Sequence, residues 1–190
     1  DLSHWAWTEP SVWTNPMLAT LEHNSVRGGK WHSLIDKVYK PDNLFSAYHE
    51  VAANQGAPGV DNITIEGFTL TLTRNLDKLE QLLRSGEYRP QEIKRVLIPK
   101  PGSNEKRPLG IPTVRDRIVQ GATRHVLEPI LERQFAAHSY GFRPNRGCKD
   151  ALRRVDQFVK AGYKYTVDVD LKSYFDTIPH DRLIQELRKY

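Results

Sequence analysis

Residues 165–170 have the sequence Tyr-Thr-Val-Asp-Val-Asp, which is the clearest β-strand pattern in the chain and the starting point for its fold. Side chains alternate along a strand, so the apolar residues share one face, and Thr166, Asp168 and Asp170 share the other. Two carboxylates on one face repel each other unless a cation lies beside them, and such oxygen ligands suit Mg²⁺ or Mn²⁺. On spacing alone, an exposed strand end with two ordinary acids is the slightly better interpretation.

Helical and strand patterns surround this run. A turn at 99–104 between the apolar runs 93–98 and 106–111 predicts a β-hairpin with a basic tip. Residues 1–40 are rich in aromatic side chains and show no regular pattern. Apolar residues at helical spacing predict helices near 42–55, 68–85, 114–130, 148–160 and 181–190. Asp42 can cap the first of these, and Thr113 with Asp116 resembles a capping box before the third. Helices, hairpin, helices, strand and helix in this order indicate an α+β fold rather than a regular βαβ array.

The charge of the chain is unevenly distributed. The formal charge is +5, from 28 Lys and Arg against 23 Asp and Glu. Residues 89–154 contain 15 basic and 6 acidic residues, so this middle region carries +9 and the remainder −4. A basic region of this kind favours a polyanionic partner, most commonly nucleic acid, although charge alone fits a solvated surface equally well.

Several classes of protein are excluded by composition. No apolar run approaches the roughly 18–20 residues of a membrane span, which excludes an integral membrane protein. Cys148 is the single cysteine, so neither an internal disulfide nor a zinc site built on several thiolates can form. These features predict a cytoplasmic protein with no membrane partner.

Residues 170–180, Asp-Leu-Lys-Ser-Tyr-Phe-Asp-Thr-Ile-Pro-His, resemble the first palm motif of reverse transcriptases of the group II intron type. Residues 95–117 are similar to the fingers hairpin of that family, residues 138–147 to its next block, and residues 56–61 to the block before the fingers. The four blocks follow the family's order across 56–181, which is far more specific than an isolated Asp-x-Asp.

The resemblance implies reverse-transcriptase-like fingers followed by the start of a polymerase palm. We expect an N-terminal extension at 1–40, fingers with the basic β-hairpin at 41–162, and the start of the palm at 163–190. The family's second carboxylate pair has no counterpart, because Asp-Asp occurs nowhere in the 190 residues. We therefore expect an incomplete palm in a fragment that is inactive alone, completed by the remainder of the same polypeptide or by a second chain.

The same resemblance assigns the metal site. Asp170 would be the catalytic ligand of two Mg²⁺ ions, with Mn²⁺ as a substitute, and the Leu171 carbonyl would add a ligand. Two metal ions activate the primer 3′-hydroxyl and neutralise the departing pyrophosphate. Asp168 is then an accessory or structural residue, and Asp176 and His180 would fix the turn and cap the following helix rather than touch substrate.

The nucleotide site follows from the hairpin and the palm motif. Lys100 and Arg107, on opposite arms of the hairpin, would bind the triphosphate of the incoming dNTP. Phe175 would lie under the sugar and exclude a 2′-hydroxyl, with Tyr174 as the alternative register. Plain core packing is a nearly equal interpretation of this aromatic pair.

Four arginines are the expected contacts to template RNA: Arg143 and Arg146 first, with Arg115 and Arg117 as weaker candidates. Tyr140 could stack on a base among these cations. For Phe142, a place in the wall between fingers and palm is the better interpretation.

The implied function is RNA-directed DNA synthesis by a bacterial enzyme of group II intron type. Its partners would be an RNA template, a DNA primer, dNTPs and the intron RNA, whose splicing it would assist as a maturase. Two alternatives remain open: an RNA-binding splicing factor without polymerase activity, and a reverse transcriptase recruited to defence or to a CRISPR system.

Overall fold

The computed structural model describes residues 2–28, 33–102 and 104–188, without the side chains of 24–28. Its β-strands are β1 (Lys94–Pro99) and β2 (Lys106–Ile111). Short 3₁₀ turns lie at Ser3–Trp5 and Phe175–Thr177. The helices are α1 (Asn15–Gly28), α2 (Ile35–Val38), α3 (Pro41–Ala53), α4 (Ile65–Thr69), α5 (Leu72–Arg84), α6 (Val114–Glu132), α7 (Cys148–Lys160) and α8 (His180–Leu187).

These elements form two compact units. The hairpin unit comprises residues 8–17 and 32–129, and the terminal unit comprises residues 1–7, 18–31 and 130–190. Helices with a single two-stranded sheet among the described residues agree with the predicted α+β class. The predicted boundaries at 40 and 162 stay predictions.

The core of the hairpin unit lies between α3, α5 and α6. Leu44, Ala47, Val114 and Ile118 are completely buried in it, and Leu79 of α5 is 1% exposed. These positions recur at helical spacing because each helix turns one face inward. The apolar stripes seen in the sequence are therefore core faces.

A buried amide joins the elements of this core. The Asn43 side-chain nitrogen donates to the carbonyl oxygens of Lys37, Val38 and Ala122, at 3.0, 3.2 and 3.1 Å. Its oxygen lies 2.7 Å from Nδ1 of the buried His125. Since an unpaired buried amide is costly, this arrangement strongly favours one packing of α3 against α6.

The hairpin has the predicted position and a defined register. The pairs run from Lys94 opposite Ile111 to Pro99 opposite Lys106 in an antiparallel ladder. Along β1, half-buried and exposed residues alternate, as expected for a ribbon with one covered face.

The strand predicted at 165–170 is absent from the part of the chain that the structure describes. Tyr165, Val167 and Val169 are 97%, 86% and 77% exposed. A β-strand exists only through hydrogen bonds to a neighbouring strand, and no described segment pairs with this one. The alternating pattern of residues 165–170 therefore favours a strand but does not identify the strand that would pair with it.

Three helical predictions also differ from the structure. The helix predicted across 68–85 is two helices, α4 and α5, and Thr64 caps the first by accepting the Gly67 N–H at 3.1 Å. Helix α3 begins at Pro41, so Asp42 lies in its first turn and is not its cap. Residues 1–40, predicted to be irregular, contain α1 and α2. Pro16 does not prevent α1, because it lies in the first turn of that helix, where proline is tolerated.

No helix in the described ranges is both long enough and apolar enough to cross a membrane.

Candidate functional site

Asp116 is the central residue at the base of the hairpin. This carboxylate is 2% exposed and accepts hydrogen bonds from the Tyr88 hydroxyl at 2.7 Å and the Gln91 N–H at 3.0 Å. The Thr113 hydroxyl donates to it at 2.7 Å and accepts the Asp116 N–H at 3.2 Å. The Thr113–Asp116 pair matches half of the predicted capping box, since its carboxylate binds Gln91 and Tyr88 rather than the Thr113 N–H.

These contacts shift two titrations in opposite directions. Burial alone would raise the pKa of Asp116, but hydrogen bonds from Tyr88, Thr113 and Gln91, with the nearby Arg115 cation, hold it below its ordinary value. Burial, followed by the hydrogen bond to the Asp116 carboxylate, raises the pKa of Tyr88 well above its ordinary value. Near neutral pH the pair is therefore a charged carboxylate with a protonated phenol.

The hairpin carries the two predicted triphosphate ligands on one face. Ile98 pairs with Arg107, and the Lys100 N–H donates to the Glu105 carbonyl at 2.9 Å, continuing the ladder. Residues two apart on a strand share a face, so Lys100 and Arg107 are diagonal neighbours. The Lys100 ammonium pairs with the Glu105 carboxylate at 2.6 Å. The register therefore puts two cationic residues on one face of the hairpin, and one of them is already paired with an acid.

The 56–61 block lies against the base of the same hairpin. A Cβ on Gly59 would come within 2.7 Å of the Thr113 backbone, so only glycine allows this approach. The Arg117 guanidinium donates to the Ala57 carbonyl at 2.8 Å, and the Lys94 ammonium lies 3.4 Å from the Asn62 side-chain oxygen. Two of the recognised sequence blocks therefore meet in space.

The two arginines at the start of α6 both hold neighbouring segments. Arg115 donates to the Arg89 carbonyl at 3.0 Å, and its guanidinium lies 5.5 Å from the centre of the Tyr88 ring. Burial lowers the pKa of Arg117, and the Asp61 carboxylate opposes that shift. Their predicted RNA contacts stay predictions beside these structural contacts.

In the terminal unit, Arg143 is enclosed by the loop that it organises. Its side chain is 6% exposed. Its guanidinium donates to the Glu132 carboxylate, at 2.6 Å in the shortest contact, and to the carbonyls of Ala136 and Ser139 at 2.8 and 2.9 Å. Because protein acceptors take these hydrogens, the structure gives Arg143 a loop-stabilising role, and its predicted template contact stays untested.

Arg146 and its aromatic neighbours are more open. Arg146 donates to the Ala137 carbonyl at 2.6 Å and lies 5.9 Å from the centre of the Tyr140 ring. Phe142 is fully exposed and has a left-handed backbone with φ of 55°. A bulky residue adopts that conformation rarely, so the loop holds this ring outward at some cost.

The palm motif is exposed around Asp170. The Asp170 carboxylate accepts the Leu171 N–H at 2.9 Å. The rings of Tyr174 and Phe175 meet edge to face, 5.3 Å apart, and are 51% and 84% exposed. His180 is the first residue of α8, and no side chain caps this helix, contrary to the capping role that the sequence suggested for His180 and Asp176.

This motif can supply only some of the ligands of a metal ion, and other groups would have to complete its coordination. The described residues contain no group of three metal-binding side chains. Mg²⁺, however, is usually held by one or two carboxylates together with phosphate oxygens and water. The exposed Asp170 carboxylate and the neighbouring Leu171 carbonyl have the right donor chemistry for that arrangement.

Sequence reasoning missed two residues that the structure makes central. Tyr88 belongs to no recognisable sequence pattern, and Asn43 lies within an ordinary helical pattern. The one available signal was Thr113 with Asp116, which pointed to a helix start and not to the hairpin base.

Comparison with known proteins agrees with the recognised blocks. The family described as "Reverse transcriptase (RNA-dependent DNA polymerase)" matches residues 98–190. The chain is 36% identical over 179 residues to the group II intron-encoded protein LtrA of Lactococcus lactis, covering 89% of this chain and 29% of LtrA. Protein YkfC of Escherichia coli is 37% identical over 195 residues, covering 99% of this chain and 46% of YkfC. Nuclear intron maturase 1 of Arabidopsis thaliana is 31% identical over 78 residues, 41% of this chain and 11% of that protein.

Residues 98–190 thus match the reverse transcriptase family. More particularly, the chain is similar to group II intron-encoded proteins and intron maturases, and the predicted resemblance is confirmed. The chain spans less than half the length of each of these relatives.

Proposed function

We propose that the protein containing this chain is an RNA-directed DNA polymerase of group II intron type. The observation that carries the proposal is the hairpin, whose register puts Lys100 and Arg107 on one face within sequence that matches reverse transcriptases. Two cations on one face, one of them a forked guanidinium, suit the oxygens of a triphosphate. The substrates are dNTPs, a DNA primer and an RNA template.

In this proposal, nucleotide binding and metal binding belong to different segments. Lys100 and Arg107 bind and orient the triphosphate, and Lys100 exchanges its Glu105 partner for phosphate. Asp170 and the Leu171 carbonyl would hold divalent metal, which, when bound, neutralises charge that develops on the reacting phosphate. Phe175, or Tyr174 in the alternative register, excludes the 2′-hydroxyl. These assignments place 41–162 in the fingers and 163–190 at the start of the palm.

Template RNA is bound by the basic region at 89–154, with charge +9. Within it, Arg146 beside Tyr140 is the best-supported contact, because a cation and a ring lie close together there. Arg143 maintains the loop, and Arg115 and Arg117 supply positive charge at the start of α6. Affinity for RNA should fall linearly with the logarithm of salt concentration, since phosphate contacts release counterions.

A maturase role for the protein is supported by the names of its relatives. LtrA is called group II intron-encoded, and two Arabidopsis relatives are called nuclear intron maturases. The partner in this role is the intron RNA, bound by residues of the same basic region of the sequence. Splicing assistance without polymerase activity is the competing function, and the test below separates the two.

The test is primer extension on an RNA template with Mg²⁺ and dNTPs, using the full-length natural protein. Wild type is compared with Asp170→Asn and with the matched control Asp168→Asn, two residues away. We expect Asp170→Asn to lose synthesis by at least about 10²-fold, the range for removal of one electrostatic group from a reaction centre, and Asp168→Asn to retain most of it. Folded wild type that binds RNA but extends no primer would favour the splicing factor without polymerase activity.

A further inference from the structure

We propose that Asp116 and Tyr88 are positioning residues for nucleotide binding. Together they hold the start of β1 and the end of β2 at the base of the hairpin, and thereby fix the place of Lys100 and Arg107. This inference rests on the proposed function, in which the hairpin binds the triphosphate. Asp116 is 2% exposed, so it acts through the hairpin and does not touch the nucleotide.

One carboxylate collects hydrogen bonds from both sides of the hairpin. On the side that enters β1, the Tyr88 hydroxyl donates to Oδ1 at 2.7 Å and the Gln91 N–H donates to Oδ2 at 3.0 Å. On the side that leaves β2, the Thr113 hydroxyl donates to Oδ2 at 2.7 Å. Since β1 begins at Lys94 and β2 ends at Ile111, Gln91 and Thr113 hold the two strands at the base of the hairpin, each within three residues of its strand.

Arg115 completes this arrangement. Its guanidinium donates to the Arg89 carbonyl at 3.0 Å, lies 5.5 Å from the Tyr88 ring centre and places Nε 3.6 Å from Asp116 Oδ1. The Tyr88 phenol is therefore held by a cation at its ring and by a carboxylate at its hydroxyl. The two hydroxyls, the Gln91 N–H and both Asp116 oxygens are all hydrogen-bonded, and only Arg115 Nε has no hydrogen-bond partner among the described residues of this network. Polar networks whose groups are paired favour a single geometry.

The orientation of the hairpin depends on its base more than on its own strands. A two-stranded ribbon is only marginally stable by itself. Lys100 and Arg107 lie toward the turn, so a small rotation at the base displaces both cations together. A misplacement of about 1 Å in a binding group is enough to lower activity strongly.

The first test is Tyr88→Phe, which removes the hydroxyl that binds Asp116 and keeps the ring under Arg115. We expect the KM for dNTP in primer extension by the full-length protein to rise roughly three- to tenfold, with kcat changed less than about twofold. This is less than the full effect of one lost hydrogen bond to a charged group, because Tyr88 acts on the nucleotide through the hairpin. A KM equal to that of wild type would overturn the proposal.

Tyr48→Phe is the matched control. Tyr48 lies in the same unit, is 6% exposed, and its hydroxyl is 2.7 Å from Thr69 Oγ1. Removal of the Tyr48 hydroxyl should lower the midpoint of chemical unfolding about as much as Tyr88→Phe does, and the KM for dNTP should stay unchanged. An equal rise of KM in both variants would mean that general destabilisation, rather than positioning, causes the effect.

A double-mutant cycle with Arg107→Ala tests the route of action. If Tyr88 acts through Arg107, the rise in KM for the double variant is smaller than the product of the single rises. Rises that multiply fully would contradict positioning. An Arg107→Ala variant with normal KM would remove the hairpin from the nucleotide site and overturn the proposed function as well, whereas a raised KM there with a normal KM in Tyr88→Phe overturns only the positioning role.

Discussion

The hairpin unit and the terminal unit hold their predicted site residues in contrasting ways. Lys100 and Arg107 stand on a ribbon whose base is tied by the buried Asp116 carboxylate. Asp170 lies on an exposed segment, where its carboxylate is bonded to the next backbone N–H. The proposed nucleotide-binding hairpin is thus organised by contacts across its unit, whereas the carboxylate of Asp170 is bonded within its own segment.

This contrast bears on what the sequence could predict. The hairpin depends on local signals, the turn at 99–104 and the β-type runs beside it, and its position was predicted correctly. The strand at 165–170 depends on a partner strand, and the pattern of a single segment cannot supply one. Long-range hydrogen bonds were missed for the same reason, because Tyr88 and Asp116 are 28 positions apart.

The family resemblance predicted more of the site than spacing did. Spacing alone left Asp168 and Asp170 equivalent, and only the motif through His180 distinguished them. For Arg143, a match to the family's motif did not reveal the contacts that the side chain makes within the fold. The motif matched, but burial beside Glu132 and the carbonyls of its own loop became apparent only in the fold.

The largest effect on stability should come from the core of the hairpin unit. Asn43→Ala removes an amide that binds three carbonyls and His125, so we expect a loss of about 3 kcal/mol in the free energy of unfolding. Asp170→Asn should leave this free energy within about 0.5 kcal/mol of wild type, because the residue is exposed. Chemical denaturation measures both, and equal losses would erase the contrast between the units.

The next effect concerns acid. A carboxyl group with a lowered pKa stabilises the fold above its ordinary pKa, and that stability is lost as the pH falls through the folded value. For Asp116, with an ordinary value of 3.8, stability should therefore decline below about pH 4. Asp116→Asn should flatten this decline in unfolding curves recorded between about pH 2 and 6. A decline as steep as that of wild type would show that Asp116 is not responsible.

The smallest effect is at the hairpin turn. Glu105→Gln removes the acid beside the Lys100 ammonium, an exposed pair with side chains 48% and 70% accessible. We expect the KM for dNTP to fall by no more than about threefold, because exposed ion pairs contribute little. Steady-state kinetics at two salt concentrations would measure the change in KM. A raised KM would mean that Glu105 aids nucleotide binding.

The division of labour between the two units is the central claim, and a single-turnover titration of dNTP tests it most directly. The full-length protein is bound to a primer on an RNA template, and Arg107→Ala and Asp170→Asn are compared with wild type. The account predicts weaker apparent dNTP binding with a near-normal maximal rate for Arg107→Ala, and a maximal rate lowered by at least about 10²-fold for Asp170→Asn. Normal dNTP binding in Arg107→Ala, or a normal maximal rate in Asp170→Asn, would contradict it.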